Sequence, residues 1–191
     1  MNETIYQSVV EADTLHRKLT GVHGGAQQSL KEMAEVIEYL NGRKFNNFVE
    51  VGTARGGSLF IYTNLLVNPY KHSTGFDIEH YPEHIPTLEY LKKSYEANIL
   101  IGNAHLLVDK IDNTIDLLHI DGWHSFEAVQ SDFNRWYPKV MSGGVILLHD
   151  TVLHDGCVAF RKSLESTNYN IKTFYEGAGS KQPGISVVIK N

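Results

Sequence analysis

Glu50-Val51-Gly52-Thr53-Ala54-Arg55-Gly56-Gly57-Ser58 follows on from the apolar run Phe45 to Val51. The stretch reads as a buried strand ending in an acid, a glycine turn, and a helix starting near Gly57 or Ser58. Glycines there let the backbone pass close to a ligand and take dihedrals that side chains forbid. A helix N-terminus beside them offers free N–H groups to an anion. The spacing is E-x-G-x-x-x-G-x-S, whereas a dinucleotide-binding turn is G-x-G-x-x-G, its second glycine two residues after the first. The difference counts against an NAD-dependent oxidoreductase.

Outward from this turn, strand and helix patterns alternate. Strands are expected at Phe45–Val51, Ser73–Asp77, Asn98–Ile101, Ile115–Asp121 and Gly144–His149, and helices near Ser58–Leu66, Thr87–Ala97, Ser125–Tyr137 and Gly156–Leu164. The apolar runs Ile115 to Ile120 and Val145 to Leu148 suit parallel strands covered on both faces. Tyr169–Tyr175 and Ile185–Ile189 have only the short turn Glu176 to Gly184 between them, which favours an antiparallel pair. Before the first strand, Glu3 to Leu19 fits a loosely amphipathic helix, Thr20 to Gly25 a breaker-rich turn, and Leu30, Met33, Ala34, Ile37 and Leu40 one face of a second helix stopped at Asn41-Gly42.

Bulk properties narrow the function classes. At 191 residues the chain suits one domain burying roughly 70% of its unfolded surface. A formal charge of -5 with no Lys/Arg run gives no electrostatic reason to expect a nucleic-acid partner. Cys157 is the only cysteine, so no intramolecular disulfide is possible and a reducing compartment is expected. No basic region followed by an apolar core marks a signal peptide, and no segment reaches the ~18–20 apolar residues of a membrane span. The expectation is a cytoplasmic protein with no membrane partner.

Two further blocks are more specific than the glycine turn. They are Ile120-Asp121-Gly122-Trp123-His124-Ser125-Phe126-Glu127, leading to Asp132 and Trp136, and Gly143-Gly144-Val145-Ile146-Leu147-Leu148-His149-Asp150. The glycine turn resembles motif I of the class I S-adenosylmethionine-dependent methyltransferases. The pattern I-D-G-x-H-S-[FY]-E, a D-x-x-x-W helix and G-G-x-x-x-x-H-D resembles their small-molecule and sugar O-methyltransferase branch (methyltransferase family 24-like). The resemblance runs from about Gln27 to the end. It implies an α/β fold, a Rossmann-like seven-stranded and mostly parallel sheet of order 3-2-1-4-5-7-6, with helices on both faces. Residues 1–191 then form one methyltransferase domain, 1–42 being N-terminal helices that act as a lid or a homodimer contact and 43–191 the cofactor-binding core.

Site residues follow from strand ends, where open α/β sheets bind ligands. For S-adenosylmethionine the expected contacts are Glu50, Gly52, Thr53, Ala54, Gly56 and Ser58 of motif I. Asp77 ends the second strand, where a carboxylate accepts both ribose hydroxyls. Asn103 and Ala104 face the adenine edge, and Asp121 and Trp123 follow the fourth strand, the indole stacking on adenine or shielding the methyl. Asp121 and Asp150 end neighbouring strands and suit Mg²⁺; related enzymes hold a divalent cation at matching positions. Where those enzymes carry a second acid or an amide, this chain has His149 before Asp150 and Thr151 after it, and an imidazole would suit Mn²⁺, Zn²⁺ or Fe²⁺ better. His124, three residues after Asp121, is the expected general base, imidazole being the side chain suited to accepting a hydroxyl proton at neutral pH. Catechol-type enzymes carry a lysine there. His119 reads as a core histidine, His154 and Asp155 as acceptor-side or solvent residues, and His72, His80, His84 and His105 show no metal-ligand spacing.

The function implied is methyl transfer to a hydroxyl of a small sugar-like or natural-product acceptor, divalent-metal-assisted, with His124 and Asp121 at the reacting centre. Two alternatives stay open from the residues alone: a non-catalytic nucleoside-binding regulatory protein, and the NAD-dependent oxidoreductase.

Overall fold

The computed structural model describes residues 1–22, 26–112, 114–167, 169–175 and 183–191. The ends of its elements follow local chemistry. The Asn2 side chain caps helix α1 (Glu3–Thr20) by accepting from Thr4 and Ile5 N–H, and Gly21 closes it in a left-handed conformation. Ser29 caps α2 (Leu30–Tyr39). Strand β1 (Phe45–Val51) then leads through the glycine turn into α3 (Gly57–Leu66). The chain continues through β2 (Val67–Asp77), α4 (His84–Leu91), β3 (Glu96–Ile101), the short α5 (Ala104–Leu107), β4 (Ile115–Ile120), α6 (Phe126–Trp136), β5 (Val140–Leu148), α7 (Asp155–Glu165), β6 (Asn170–Phe174) and β7 (Ile185–Ile189).

All the strands lie in one seven-stranded sheet, ordered β3-β2-β1-β4-β5-β7-β6. Pairing is parallel from β3 across to β5, while β7 runs antiparallel to both β5 and β6. This is the sheet expected from the sequence. The turns read at Thr20–Gly25 and Glu176–Gly184 lie largely outside the described residues.

Alternation along the central strands sends side chains to opposite faces. Phe48, Leu117, Val145 and Leu147 meet α1, α2 and α3 in one fully buried apolar layer with Val9, Met33, Val36 and Leu59. Val49, Leu118, Ile120, Ile146 and Leu148 meet Phe133 and Trp136 of α6 and Phe160 of α7 in the other. Each such fully buried side chain contributes about 1.5–3 kcal/mol of apolar transfer. Both N-terminal helices therefore share the main core with β1 and α3.

The main boundary differences from the sequence reading lie in β2, at the α4–β3 joint and in β5. Strand β2 begins at Val67 rather than Ser73, because its pairing with β1 skips from Phe45↔Val67 to Asn47↔His72 around a left-handed Tyr70. Helix α4 ends at Leu91, and β3 starts at Glu96 opposite His72, so the segment expected to stay helical to Ala97 is divided. Strand β5 starts at Val140, ahead of an irregularity that shifts its register on β4.

Candidate active site

The carboxyl ends of β1, β2, β4 and β5 and the loops that follow them enclose a cavity of about 790 Å³. Its first wall is the motif I turn. Gly52 (φ +86°) and Thr53 both donate backbone N–H bonds to Phe76 O, at 2.9 and 3.1 Å, and Gly56 (φ +84°) is the N-cap of α3. A β-carbon on Gly52 would sit 2.0 Å from the backbone oxygen of Asp121, so the turn presses directly on the end of β4. Ala54, also left-handed at φ +44°, donates its N–H to Asp77 Oδ2 at 2.6 Å, and Asp77 Oδ1 accepts from Glu79 N–H at 3.0 Å. Asp77 thus fixes the turn while its remaining lone pairs face the cavity. His84, buried at the start of α4, completes the support by bonding Ala54 O through Nε2 at 2.5 Å.

A buried polar chain lies behind this wall. Glu50 and His119 are register partners on β1 and β4, so their side chains share a face. Both are fully buried, with Glu50 Oε1 2.8 Å from His119 Nδ1. Gln28, just before α2, brings its amide nitrogen 3.3 Å from His119 Nε2 and 2.9 Å from Asp121 Oδ2. An amide nitrogen only donates, so His119 Nε2 accepts and the ring proton sits on Nδ1, donated to Glu50. The chain therefore runs from the motif I acid through His119 and Gln28 to Asp121.

Asp121 leads to the titratable centre. His149 Nδ1 is 2.9 Å from Asp121 Oδ1 and 3.1 Å from Asp150 Oδ2. Burial by itself would depress His149, but the charge of Asp121 and the hydrogen bonds to Asp121 and Asp150 push it up to about 10. Burial would raise Asp121 in turn, yet the charge and hydrogen bond of His149, with His119 and Gln28 behind, hold it below its ordinary value. Asp150, strained at φ +60°, also meets His124 Nε2 at 2.8 Å. The His124 ring stacks on His154 with centroids 4.1 Å apart.

Asp121, His149 and Asp150 would suit a divalent cation. Neighbouring ligands on an ion with bonds of about 2.1 Å lie about 3 Å apart, which the 2.9 and 3.1 Å separations match. Without a cation, the proton on His149 neutralises part of the same two carboxylates, so a metal ligated by His149 must displace it.

Most residues expected from the sequence line this cavity: Gly52, Thr53, Ala54, Ser58, Asp77, Asn103, Ala104, Asp121, Trp123, His124, His149 and Asp150. Glu50 and Gly56 are not on its wall. The Glu50 carboxylate points to His119, behind the turn. Gly56 packs near Thr87 and shapes the turn. Asn103 spends its side-chain oxygen on His105 N–H as the cap of α5. Trp123 is 78% exposed and stacks on no other ring among the described residues, leaving it open to a bound molecule.

Sequence reasoning passed over Gln28 and gave no site role to His84 or to the pair His105–Asp132, joined at 2.6 Å across the cavity rim. Burial pushes Asp132 up, against the opposing pull of His105. Gln28 lies 93 positions from its partner Asp121, a separation no local pattern reveals. For His105 and Asp132 the faint signal was the D-x-x-x-W helix itself, whose aspartate faces the strand ends.

Cys157 sits at the edge of the site, 3% exposed, with Sγ 3.8 Å from His124 O. Burial, with the charges of Asp150 and Asp121, pushes the thiol up to about 12. Iodoacetamide at pH 8 should therefore leave the native protein unmodified and alkylate one thiol only after denaturation, read by mass spectrometry. Rapid native alkylation would mean that α7 opens readily from the His124 loop.

A sheet of this order, with a glycine turn, an acid after β2 and acids after β4 and β5 around one cavity, defines a Rossmann-like transferase of the methyl-transferring kind. The family model described as "Methyltransferase domain" matches residues 49–151, over half of the chain, and the protein belongs to that methyltransferase family. In fold it is similar to the O-methyltransferase TomG from Streptomyces achromogenes, solved in complex with SAM (TM-score 0.67, 14% identity, 100% of this chain and 91% of that one). It is likewise similar to the O-methyltransferase from Bacillus cereus in complex with SAH (TM-score 0.64, 13% identity, 100% and 92%). In sequence it is 31% identical over 121 residues to the uncharacterized protein R132 of Acanthamoeba polyphaga mimivirus, covering 54% of this chain and 50% of that one. The chain spans half or less of the length of the curated relatives it matches. Among the described residues no helix is long and apolar enough to cross a membrane.

Proposed function

We propose that this methyltransferase moves the methyl group of S-adenosylmethionine to a hydroxyl of a small sugar-like or natural-product acceptor. The observation that carries the reading is the arrangement of Asp77 and the motif I turn on one side of the cavity, with His124 held by Asp150 on the other. Asp77 and the turn form the cofactor half, with Asn103, Ala104 and Trp123 along its rim. The acceptor oxygen would approach from the His124 side. Residues 1–42 and 43–191 act as one unit, because α1 and α2 share the core that carries β1.

The chemistry is one in-line displacement. A bond forms from the acceptor oxygen to the methyl carbon as the carbon–sulfur bond breaks, and the acceptor proton leaves to a base. Positioning supplies much of the acceleration. His124 takes the proton on Nδ1, while its Nε2–H is donated to Asp150, which orients the ring and stabilises the imidazolium formed. Asp121, His149 and Asp150 would hold a divalent cation, which when bound lowers the pKa of an acceptor hydroxyl. The Gln28–His119–Glu50 chain keeps the Asp121 carboxylate in place for either role.

Calorimetric titration of S-adenosylhomocysteine, with NAD as control, tests the cofactor half. Micromolar binding of the former and none of the latter is expected, and the reverse would end the reading. Repeating it after chelation and after Mg²⁺ addition tests the cation. With an acceptor found by screening, His124→Ala should lower turnover by about 100-fold or more, with S-adenosylhomocysteine affinity unchanged. An unimpaired variant would remove His124 from the chemistry.

A further inference from the structure

On the acceptor side of Asp150 lies a group of donors that the methyl-transfer reading uses only in part. His124 Nε2 is 2.8 Å from Asp150 Oδ2, and His154 Nε2 is 3.7 Å from Oδ1 of the same carboxylate. Nitrogen and oxygen donors of the three residues all lie within 4.8 Å of one another. Asp150 is the one carboxylate within ion-pair reach of either ring among the described residues.

The two imidazoles are held there by packing. His154 is the N-cap residue of α7, and His124 immediately precedes Ser125, the N-cap of α6. The helix starts touch: a β-carbon on Gly156 would fall 2.2 Å from His124 O and 2.5 Å from Phe126 N. Cys157 Sγ closes on the same His124 carbonyl. With both ring-bearing backbones fixed and the rings stacked, only a small closing of His154 onto Asp150, from 3.7 Å, separates the three donors from a chelating arrangement, which lowers the ordering cost of binding. His124 and His154 are 44% and 43% exposed, so an ion has a path in. Asp150 is buried, so its charge acts in a poorly screened setting.

We propose that His124, His154 and Asp150 form a second cation site, taking a borderline divalent metal such as Zn²⁺. Two neutral imidazoles and one carboxylate are the donor set that such metals prefer and that Mg²⁺ does not. Three protein ligands leave coordination positions open toward the cavity, which water or an acceptor oxygen would fill. Any ring proton on the donating nitrogens leaves to solvent as the nitrogen lone pairs bind the ion. The site shares Asp150 with the Asp121–His149–Asp150 group but needs neither of that group's other members. With an ion on Nε2 the neutral His124 ring carries its one proton on Nδ1, which can then no longer take the acceptor proton, so occupancy would halt methyl transfer. That consequence rests on His124 being the base; the site itself does not.

Titration of Zn²⁺ into chelator-stripped, desalted protein is the test, followed by calorimetry and, with Co²⁺ as a visible probe, by absorption bands sensitive to imidazole ligation. Wild-type protein should bind one Zn²⁺ in the micromolar range through this site. His154→Ala and His154→Gln should each weaken it by about 10–100-fold, on the scale of supporting-ligand losses, and remove the Co²⁺ bands. Asp121→Asn should weaken Zn²⁺ binding less than either His154 variant, because it removes a neighbouring charge, coupled to Asp150 through His149, and no ligand. S-adenosylhomocysteine affinity and melting temperature, measured on the same samples, report the cofactor reading and the fold separately. Absence of wild-type binding, undiminished binding by both His154 variants, or equal loss in Asp121→Asn would overturn the site.

Discussion

Replacing Gly52 by alanine should abolish measurable S-adenosylhomocysteine binding while lowering stability, the largest single-site effect expected in this protein. Two costs combine. At φ +86° any β-carbon is strained, by about 1–2 kcal/mol. The added atom would also meet Asp121 O at 2.0 Å, Asp121 C at 2.5 Å and Gly122 N at 2.9 Å. All three are backbone atoms, so no rotamer change relieves the clash, and either the motif I turn or the end of β4 must move. Overpacking of a rigid interior costs about 1–3 kcal/mol or more. Both moving parts line the cavity, so binding suffers beyond the stability loss. Gly143→Ala is the internal control: its φ is +75°, yet nothing lies within 4 Å of the added carbon. It should show the backbone cost in melting temperature and leave binding intact. Near-wild-type affinity in Gly52→Ala would show that the turn is not the cofactor cradle.

Glu50→Ala should destabilise the fold by about 1–3 kcal/mol, the range for leaving a buried donor without its acceptor, measured by urea unfolding. His119 Nδ1 would lose its acceptor in a site with no water access, since both side chains are 0% exposed. Glu50→Gln keeps an acceptor oxygen and should cost distinctly less. Replacing the pair together, Glu50→Leu with His119→Leu, should recover part of the single-variant loss, because apolar groups need no partner. The double variant should still bind S-adenosylhomocysteine poorly, since Gln28 then lacks one of its two anchors beside Asp121. A loss under about 1 kcal/mol in Glu50→Ala would show that His119 finds another acceptor.

The strands were legible because their evidence is local, whereas their order in the sheet came from the family resemblance. Runs such as Ile115–Ile120 and Val145–Leu148 declare buried strands, and the glycine turn declares the β1–α3 joint within nine consecutive residues. The strand-end acids Asp77, Asp121 and Asp150 followed from where those strands stop. Less legible were contacts made by residues with ordinary local roles. Asn103 and Ser125 are good helix caps in any protein, and the structure uses both that way. The pairing of Glu50 with His119 on β4 was hidden, because register between distant strands is invisible in a single chain. The early start of β2 was hidden by Asn68-Pro69-Tyr70, an irregular stretch around which its pairing with β1 shifts register. Gln28 had no periodicity to mark it.

That glutamine bears on attempts to trim the scaffold. A shortened version beginning at Phe45 would retain every strand and, on paper, every motif by which the family is recognised. It would lose Gln27 from the cavity wall, Gln28 from Asp121, and Ala26, whose backbone lies within 2.8–2.9 Å of where a side chain on Gly57 would begin. Such a minimal core would keep its sequence hallmarks and lack a competent pocket. For library construction and grafting, the portable unit starts upstream of the first recognisable motif.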